Sequence, residues 1–586
     1  MRFVAAILYF VAVACVSAVA LSMASGGLKP FVAWLSLLGG AGVAGWALWQ
    51  HREVRTVPRK LGGWEWFGIA LWSLFTLRCF LWLIFRETDE IKVLSANNLG
   101  DMSIHITFIR YLASGVPFWP DNPICTGAPL TYPVGTDLFN AILLTVGVNL
   151  MIGLTWVGLI GAACIGAALW RWGGAFALIG ILCNGGTIVF EEWLKPGAKW
   201  ELLDYLTDRP WNSIPLALIV TQRGLLFALP ASLLLLDKWR TRFLGAPARP
   251  GWQLPEWGEL LLYATMPLFH LHAFLFLSVA LGWWIIAVPG ARKDAFVLGL
   301  RALIPATLLT LLVTGGFFGK DTIARHFGWT WEAPDDEHPD RPSFVIYIIQ
   351  NFGILPVLYA WLTVGLARRR KDPATRAALH VAIPALTVFI ACFIFRFAPW
   401  DWDNSKLIML AYAALLPALW THLISRWAMP FRWVTCFFLF FSGFISLLGG
   451  MSGKNKGHGI GTISRLDAIA SATREIPVSE RFATHPTWNH PLLLIGRKVA
   501  MGFPSHIFSH GLGSAERDQK MEALMRGEPD WREHARSLGV RYIFWGEMER
   551  ENYKDSKQPW VAESDKIAHG DWGDIYDISI ARIPAK

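Results

Sequence analysis

Long apolar runs recur along most of the chain, and they constrain its fold more than any other feature. A run of about 20 apolar residues suits one helix across the hydrocarbon core of a bilayer. One run is too long for a single helix and has His270 and His272 near its middle, so it predicts two helices with a tight turn. The sequence thus predicts an α-helical polytopic membrane protein with about thirteen transmembrane helices. The runs are 3–22, 31–49, 65–85, 153–171, 174–190, 213–236, 258–288, 295–316, 344–366, 377–397, 405–424 and 431–449.

The composition agrees with that class. Of the 586 residues, 54% are hydrophobic and 17% are charged, and the mean hydropathy is +0.39. Such values are not those of a water-soluble protein. The net charge is +9, but Lys and Arg cluster in short segments between apolar runs, as is typical of cytoplasmic loops. Topology therefore accounts for the charge, and we expect no nucleic-acid partner.

The basic segments also orient the chain. They include 51–60, 237–249, 368–371 and 426–432. A cytoplasmic N-terminus places all of them on the cytoplasmic side of the membrane. The segments between the other apolar runs then face outward, and these hold most of the acidic residues that precede the C-terminal tail.

The chain divides into three predicted parts. Residues 1–64 form two N-terminal membrane helices and a basic cytoplasmic loop. Residues 65–450 form the main transmembrane domain, with a long first external loop at 87–152. Residues 451–586 are polar and mixed in composition, and they predict a small α/β domain outside the membrane.

The pattern within that tail predicts its elements. The apolar stretches 492–495 and 540–544 indicate buried strands, and 575–578 indicates a closing strand. Residues 515–538 are typical of one helix that ends at Gly539.

The first external loop contains a carboxylate and an imidazole four residues apart, Asp101 and His105. On a helix these positions share a face, so both side chains could address one substrate from one side. Asp101 follows Gly100, however, and could instead be the N-cap of a helix. Tyr132 lies further along the same loop. The sequence leaves both roles of Asp101 open.

A second polar cluster lies in the outward segment after the eleventh predicted span. It comprises Asp401, Asp403, Asn404 and Lys406. These side chains could form a polar wall that binds sugar hydroxyls and phosphate. Alternatively, Asp403 or Asn404 caps the next helix, and Lys406 extends its amine toward the membrane surface.

Polar residues also interrupt two of the apolar runs. Gln222 and Arg223 lie within 213–236, and His270 and His272 lie within 258–288. A cation within a span is costly and usually faces a cavity or a partner. An arginine at an outward-facing cavity suits a phosphate group.

Several common site classes are missing from the sequence. It has no P-loop, dinucleotide fingerprint, HExxH or GxSxG motif. This argues against an ATP-driven pump and the common hydrolases. The acidic residues show no spacing that defines a metal site, so the metal ligands stay unknown.

Taken together, three motifs resemble a known family. They are Gly-Asp-x-x-x-His at 100–105, Pro-Leu-Thr-Tyr-Pro at 129–133 and Trp-Asp-Trp-Asp-Asn-x-Lys at 400–406. The set resembles bacterial GT-C-type polytopic membrane glycosyltransferases, relatives of the protein mannosyltransferases and aminoarabinose transferases, in a little-characterised branch. The resemblance covers most of the chain from about residue 87. The chain departs from the family in its two additional N-terminal spans and in lacking a matched second acid beside Asp101.

The resemblance implies a GT-C-like fold in the bacterial cytoplasmic (inner) membrane, with an extracytoplasmic C-terminal domain. It implies inverting transfer of a sugar from a polyprenyl-phosphate donor to a glycan, lipid or protein acceptor on the outer face. By position, it makes Asp101 the general base. It leaves a divalent metal open as a cofactor.

On this hypothesis His105 assists Asp101, and Arg223 and Lys406 stabilise the charge that develops on the phosphate. The expected substrate-binding residues are Gln222, Arg223, His270, His272, Asp401, Asp403, Asn404, Lys406 and Tyr132.

Two alternatives stay open. Polar groups within the spans suit a transporter or flippase of a lipid-linked intermediate. An O-antigen-type ligase or polymerase would use the same kind of donor, and we expect it to depend on Arg and His rather than on a carboxylate of the first loop.

Overall fold

The computed structural model describes residues 1–50, 52–53, 60–204, 210–316, 323–454 and 456–579. Most of the predicted basic segment 51–60 therefore lies outside the described residues. The described chain is mostly helical, which confirms the predicted class. Helices of the first 450 residues are α1 Arg2–Ser25, α2 Pro30–Gln50, α3 Gly63–Leu81, α4 Leu99–Ala113, α5 Gly135–Thr145, α6 Leu150–Leu182, α7 Ile188–Trp193, α8 Leu225–Arg242, α9 Glu256–Phe269, α10 Leu271–Ala287, α11 Arg292–Thr314, α12 Phe344–Phe352, α13 Leu355–Arg368, α14 Pro373–Ala391, α15 Asn404–Ala418 and α16 Met429–Gly450.

Within the described ranges, seven helical segments are long and apolar enough to cross a membrane. An eighth is obtained if α12 and α13, which meet at a bend of 85°, form one span. Helices α9 and α10 coincide with predicted spans but have only 14 and 17 residues. The protein is thus a multi-pass membrane protein by the length and composition of its helices, and the number thirteen stays a prediction.

Several helices are interrupted within the predicted spans or where two predicted spans meet, as α6 is between 153–171 and 174–190. His270 separates α9 from α10, as the sequence predicts, and its Nδ1 accepts the Ala273 N–H at 3.1 Å. Helix α6 is broken at Gly173 and Gly174, with φ of 64° at Gly174. After α15, the chain continues as a π-helical turn, Leu419–Leu423. Such breaks in membrane helices occur where the backbone is buried in protein or lines a cavity.

The C-terminal part contains a five-stranded sheet. Its order is β7-β6-β8-β10-β9, with β6 parallel to β7 and β8 and the other pairs antiparallel. Two small sheets complete the molecule, one of order β1-β2-β5 and one that pairs β3 with β4. The strands are β1 Phe85–Glu87, β2 Glu90–Val93, β3 Ala324–Arg325, β4 Phe395–Arg396, β5 His458–Thr462, β6 Arg481–Ala483, β7 Lys498–Val499, β8 Tyr542–Gly546, β9 Asp565–Gly570 and β10 Gly573–Asp577.

Two element predictions in this region are wrong. The predicted strand 492–495 is a short helix, because Pro491 begins it and His490 Nδ1 accepts the Leu492 N–H at 3.2 Å. The predicted helix 515–538 is two helices, since Gly527 adopts a left-handed conformation that ends the first. Strand β8 overlaps the predicted strand, and β10 is the predicted closing strand. The remaining helices are α17 Ile463–Ala472, α18 Pro491–Leu494, α19 Pro504–Ser509, α20 Ala515–Arg526, α21 Trp531–Ser537, α22 Glu547–Asn552 and α23 Trp560–Glu563.

The predicted first external loop is joined to the C-terminal part through the backbone. Strand β2 pairs with β5, and residues 123–126 bond with 499–502 through three N–H···O contacts of 2.8–3.0 Å. Asp121 adds side-chain bonds, accepting from Arg481 at 2.6 Å and from Lys498 at 2.9 Å. The loop that contains α4 is therefore fixed against the C-terminal part. The predicted domain boundaries themselves stay predictions.

Candidate functional site

Helix α4 presents Asp101 from its first turn. The N-cap position is Asn98, and Asp101 makes no capping bond. The alternative that Asp101 is an N-cap is therefore wrong. The carboxylate is available for interactions outside its own helix.

Burial raises the pKa of the Asp101 carboxyl above its usual range, and the nearby Asp403 carboxylate raises it further. Positive charge at His105 and Lys406 acts in the opposite direction. These shifts place His105, Lys406 and Asp403 within electrostatic range of Asp101. A carboxylate with a raised pKa binds a proton more strongly, which suits a general base.

His105 forms a buried pair with Asp137, which belongs to the first turn of α5. Its Nδ1 lies 2.8 Å from Asp137 Oδ2, and the side chains are 1% and 2% exposed. Since a carboxylate oxygen accepts, His105 Nδ1–H is the donor of this bond. Among the described residues, His105 Nε2 and Asp137 Oδ1 have no hydrogen-bond partner although both are buried.

Asp137 was not among the predicted site residues. The sequence signal that could have found it is a carboxylate in the same external loop, just after Tyr132 and Pro133. The Tyr132 ring lies edge-on to His105, with centroids 6.0 Å apart. Tyr132 thus lies beside His105, and its part in substrate binding stays a prediction.

Lys406 and Asp403 form an ion pair beside Asp101. Lys406 Nζ lies 3.0 Å from Asp403 Oδ1, and both side chains are largely buried. Asp403 occupies the N-cap position of α15 but makes no capping bond. His272 interacts electrostatically with both residues, and His270 interacts with Lys406. The second predicted cluster and the histidines of the α9–α10 break therefore meet the α4 helix.

The other two members of that cluster have different contacts. Asn404 is fully buried, and its amide bonds to the backbone of Cys392 and Phe395 at 2.8 and 2.7 Å. Its Oδ1 accepts the Phe397 N–H at 3.1 Å, so Asn404 holds the preceding loop in place. Asp401 lies 3.5 Å from His326 and accepts the Trp402 N–H at 2.8 Å.

Arg223 lies behind the His105–Asp137 pair. It is 1% exposed, donates to the Leu154 carbonyl at 3.1 Å, and interacts electrostatically with Asp137. Within the part of the chain that the structure describes, its Nε and Nη1 have no hydrogen-bond partner. Gln222 precedes it in the same turn and is partly buried.

Two histidines of the C-terminal part also lie at the site, and neither was among the predicted site residues. His506 Nε2 would lie only 3.2 Å from a Cβ at position 100, so glycine there permits close contact with α4. The His510 ring lies 5.1 Å from that of Tyr132. Burial lowers the pKa of His506 to about 4 and that of His510 to about 3, so both are neutral at pH 7. The pattern Ser-His-Gly at 509–511 is equally typical of a turn, and its pairing with the first loop needs the tertiary structure.

A metal site is not evident in this arrangement. Over the described ranges, no group of three or more His, Cys, Asp or Glu side chains is placed to hold a metal ion.

The chain matches no protein-family model and no curated protein. Among solved structures it is similar to the oligosaccharyltransferase AglB of Archaeoglobus fulgidus, at 12% identity. The complex with an inhibitory peptide and a dolichol-phosphate gives a TM-score of 0.47 and covers 83% of this chain and 70% of its own. The apo form gives 0.40 and covers 82% and 69%. At these TM-scores we draw no conclusion about fold or activity from the similarity.

Proposed function

We propose that this protein is a membrane glycosyltransferase of the GT-C type. It moves a sugar from a polyprenyl-phosphate donor to an acceptor hydroxyl on the extracytoplasmic face. The observation that supports this most is the convergence of Asp101, the His105–Asp137 pair and the Lys406–Asp403 pair, which come from three separate parts of the chain. A carboxylate base beside a cation is what transfer from a sugar phosphate requires.

In this mechanism the Asp101 carboxylate takes the proton of the acceptor hydroxyl. The acceptor oxygen bonds to the anomeric carbon while the bond from that carbon to the phosphate oxygen breaks, which inverts the configuration. Polyprenyl phosphate leaves with the bonding electron pair. His105, fixed by Asp137, orients the acceptor through its free Nε2.

The leaving phosphate gains negative charge, and Lys406 is the cation placed to stabilise it. Such stabilisation is often the largest catalytic contribution. Arg223 adds positive charge near Asp137. Because a phosphate leaves readily as an anion, the reaction needs no dedicated general acid.

The decisive experiment is Asp101→Asn in the full-length protein, assayed with polyprenyl-phosphate sugars. We expect turnover to fall by about 10²–10⁴-fold, the usual contribution of a general base, while donor binding is retained. Asp336→Asn, an exposed acid predicted on the same face, is the matched control. Wild-type turnover of Asp101→Asn would overturn the assignment.

The donor is identified in cells that lack the protein. We expect one lipid-linked sugar to accumulate and one surface glycan to lose that sugar, measured by mass spectrometry. No change in either pool would contradict the transferase.

One arrangement favours a second candidate, a ligase or polymerase that uses the same donor. Four histidines and a buried arginine lie near other members of the site. His270 and His272 interact electrostatically with Lys406, His506 and His510 with His105, and Arg223 with Asp137. For this candidate, His510→Gln would abolish activity and Asp101→Asn would not.

A further inference from the structure

A large cavity opens at the opposite end of the membrane domain from Asp101. Its volume is about 1310 Å³. The starts of α1, α3 and α16 contribute to it, as do the α6 break at Gly173 and the segment 249–252. All of these lie at or beside the segments that the charge pattern predicts to be cytoplasmic.

One end of the cavity is strongly basic. Four arginines and one glutamate are the charged residues of its lining: Arg2, Arg171, Arg249, Arg432 and Glu65. Arg171 and Arg249 lie 3.0 and 3.5 Å from Asp237, which anchors them at the rim. Arg432 donates its Nε to the Trp427 carbonyl at 2.6 Å, and no carboxylate of the described residues lies within ion-pair distance.

The rest of the wall is apolar and aromatic. Helix α16 contributes one stripe that begins at Arg432 and continues through Cys436 and Phe440 to Phe444. Twelve residues of helix correspond to about 18 Å, and one leaflet of the hydrocarbon core is about 15 Å deep. The cavity is therefore long enough to hold one lipid chain along its whole depth in a leaflet.

Two backbone breaks create this space. Helix α6 is interrupted at Gly173 and Gly174, and α15 ends at a π-helical turn after Pro417. Pro417 packs against Gly173, with 3.3 Å between its ring and a Cβ built on that glycine. Both breaks line the cavity.

We propose that this cavity binds one anionic phospholipid of the bilayer. Its phosphate lies among the rim arginines, and one acyl chain follows the α16 stripe toward Phe444. Guanidinium groups suit phosphate oxygens, and the aromatic wall suits the chain. This inference does not depend on the proposed transferase activity.

The test is native mass spectrometry of the full chain from nanodiscs that contain equal amounts of phosphatidylglycerol and phosphatidylcholine. We expect one phosphatidylglycerol to be retained in preference. Arg432→Gln should weaken that retention by about fivefold, the contribution of one cation near a lipid phosphate. Arg426→Gln is the matched control, because Arg426 is exposed, lies one turn before α16 and does not line the cavity.

A second measurement uses Cys436, which lines the cavity and is the partly exposed cysteine. Phosphatidylglycerol nanodiscs should slow its alkylation by maleimide relative to phosphatidylcholine nanodiscs, and Arg432→Gln should remove the difference. Equal retention of the two lipids, or an equal loss in Arg426→Gln, would overturn the proposal. Retention of polyprenyl phosphate in place of phosphatidylglycerol would assign the cavity to the carrier and also overturn it.

Discussion

Two buried histidine–carboxylate pairs occupy different parts of the molecule, and they differ in how fully their polar atoms are bonded. In the C-terminal part, Glu549 accepts from His490 Nε2 at 3.2 Å and from the backbone N–H groups of His485 and Gly546 at 2.8 and 2.9 Å. In the candidate site, the His105–Asp137 pair has one bond, of 2.8 Å, and each partner has one buried atom without a bond.

The difference separates a structural pair from a functional one. Leaving a buried polar atom without a partner costs roughly 1–3 kcal/mol, so a fold keeps such atoms where something else will bind them. Glu549 and His490 have their partners within the fold, and we expect them to stabilise it. His105 Nε2 is left without a partner in the same site as Asp101, and we expect a substrate hydroxyl to bind it.

The largest expected effect is on stability, in Glu549→Gln. The amide nitrogen of Gln would face groups that donate to Glu549, so we expect a loss of about 3 kcal/mol or more in the free energy of unfolding. Glu547 is an exposed neighbour, and Glu547→Gln removes only its ion pair with Arg465. We therefore expect this variant to lower the free energy of unfolding by about 1 kcal/mol or less. Thermal unfolding in one detergent measures both, and equal losses would contradict the comparison.

The same carboxylate gives a pH signature. Burial alone would raise the pKa of Glu549, but the bonds from His490, His485 and Gly546 hold it below its ordinary value. Its stabilisation is therefore present above the unfolded pKa of about 4.3 and is lost as the pH falls through the folded pKa. Glu549→Gln should lack this part of the acid dependence.

We expect a smaller effect, on activity rather than stability, when the His105–Asp137 pair is changed. His105→Gln should lower kcat by about 10²-fold, the lower range for a group that assists proton transfer. It should lower the melting temperature less than Glu549→Gln does. Asp137→Asn should resemble it, because an amide no longer holds the proton on His105 Nδ1. If either variant lost stability without losing activity per folded molecule, the site pair would be structural after all.

The two pairs also show what the sequence can predict. The Asp101–His105 spacing places both side chains on one face of α4, since helical periodicity is local. Asp137 and His510 could not be assigned in this way, because they meet His105 and Tyr132 only through contacts between distant parts of the chain. Asn404 shows that residue type alone can mislead. An asparagine suits sugar binding, but the Asn404 amide hydrogen-bonds to the backbone of residues 392–397 instead.

The smallest effect is a shift in the pH profile that comes from the charges around Asp101. Burial and the Asp403 carboxylate raise the pKa of Asp101, whereas His105 and Lys406 lower it. A base must be deprotonated to act, so the acidic limb of kcat/KM should lie above the ordinary aspartate value of about 3.9. Lys406→Gln removes a nearby positive charge and should move this limb to higher pH, by about one unit or less.

Asp403→Asn removes a nearby negative charge and should move the limb of kcat/KM to lower pH by a similar amount. Both variants break the same 3.0 Å ion pair, so a purely structural effect would change the two profiles alike. Lys406→Gln should also lower the plateau of kcat/KM, because Lys406 stabilises the leaving phosphate. The position of the acidic limb is therefore compared after each profile is normalised to its own plateau. Shifts in the same direction would show that the limb reports the loss of the ion pair rather than the charges around Asp101, and they would contradict the assignment.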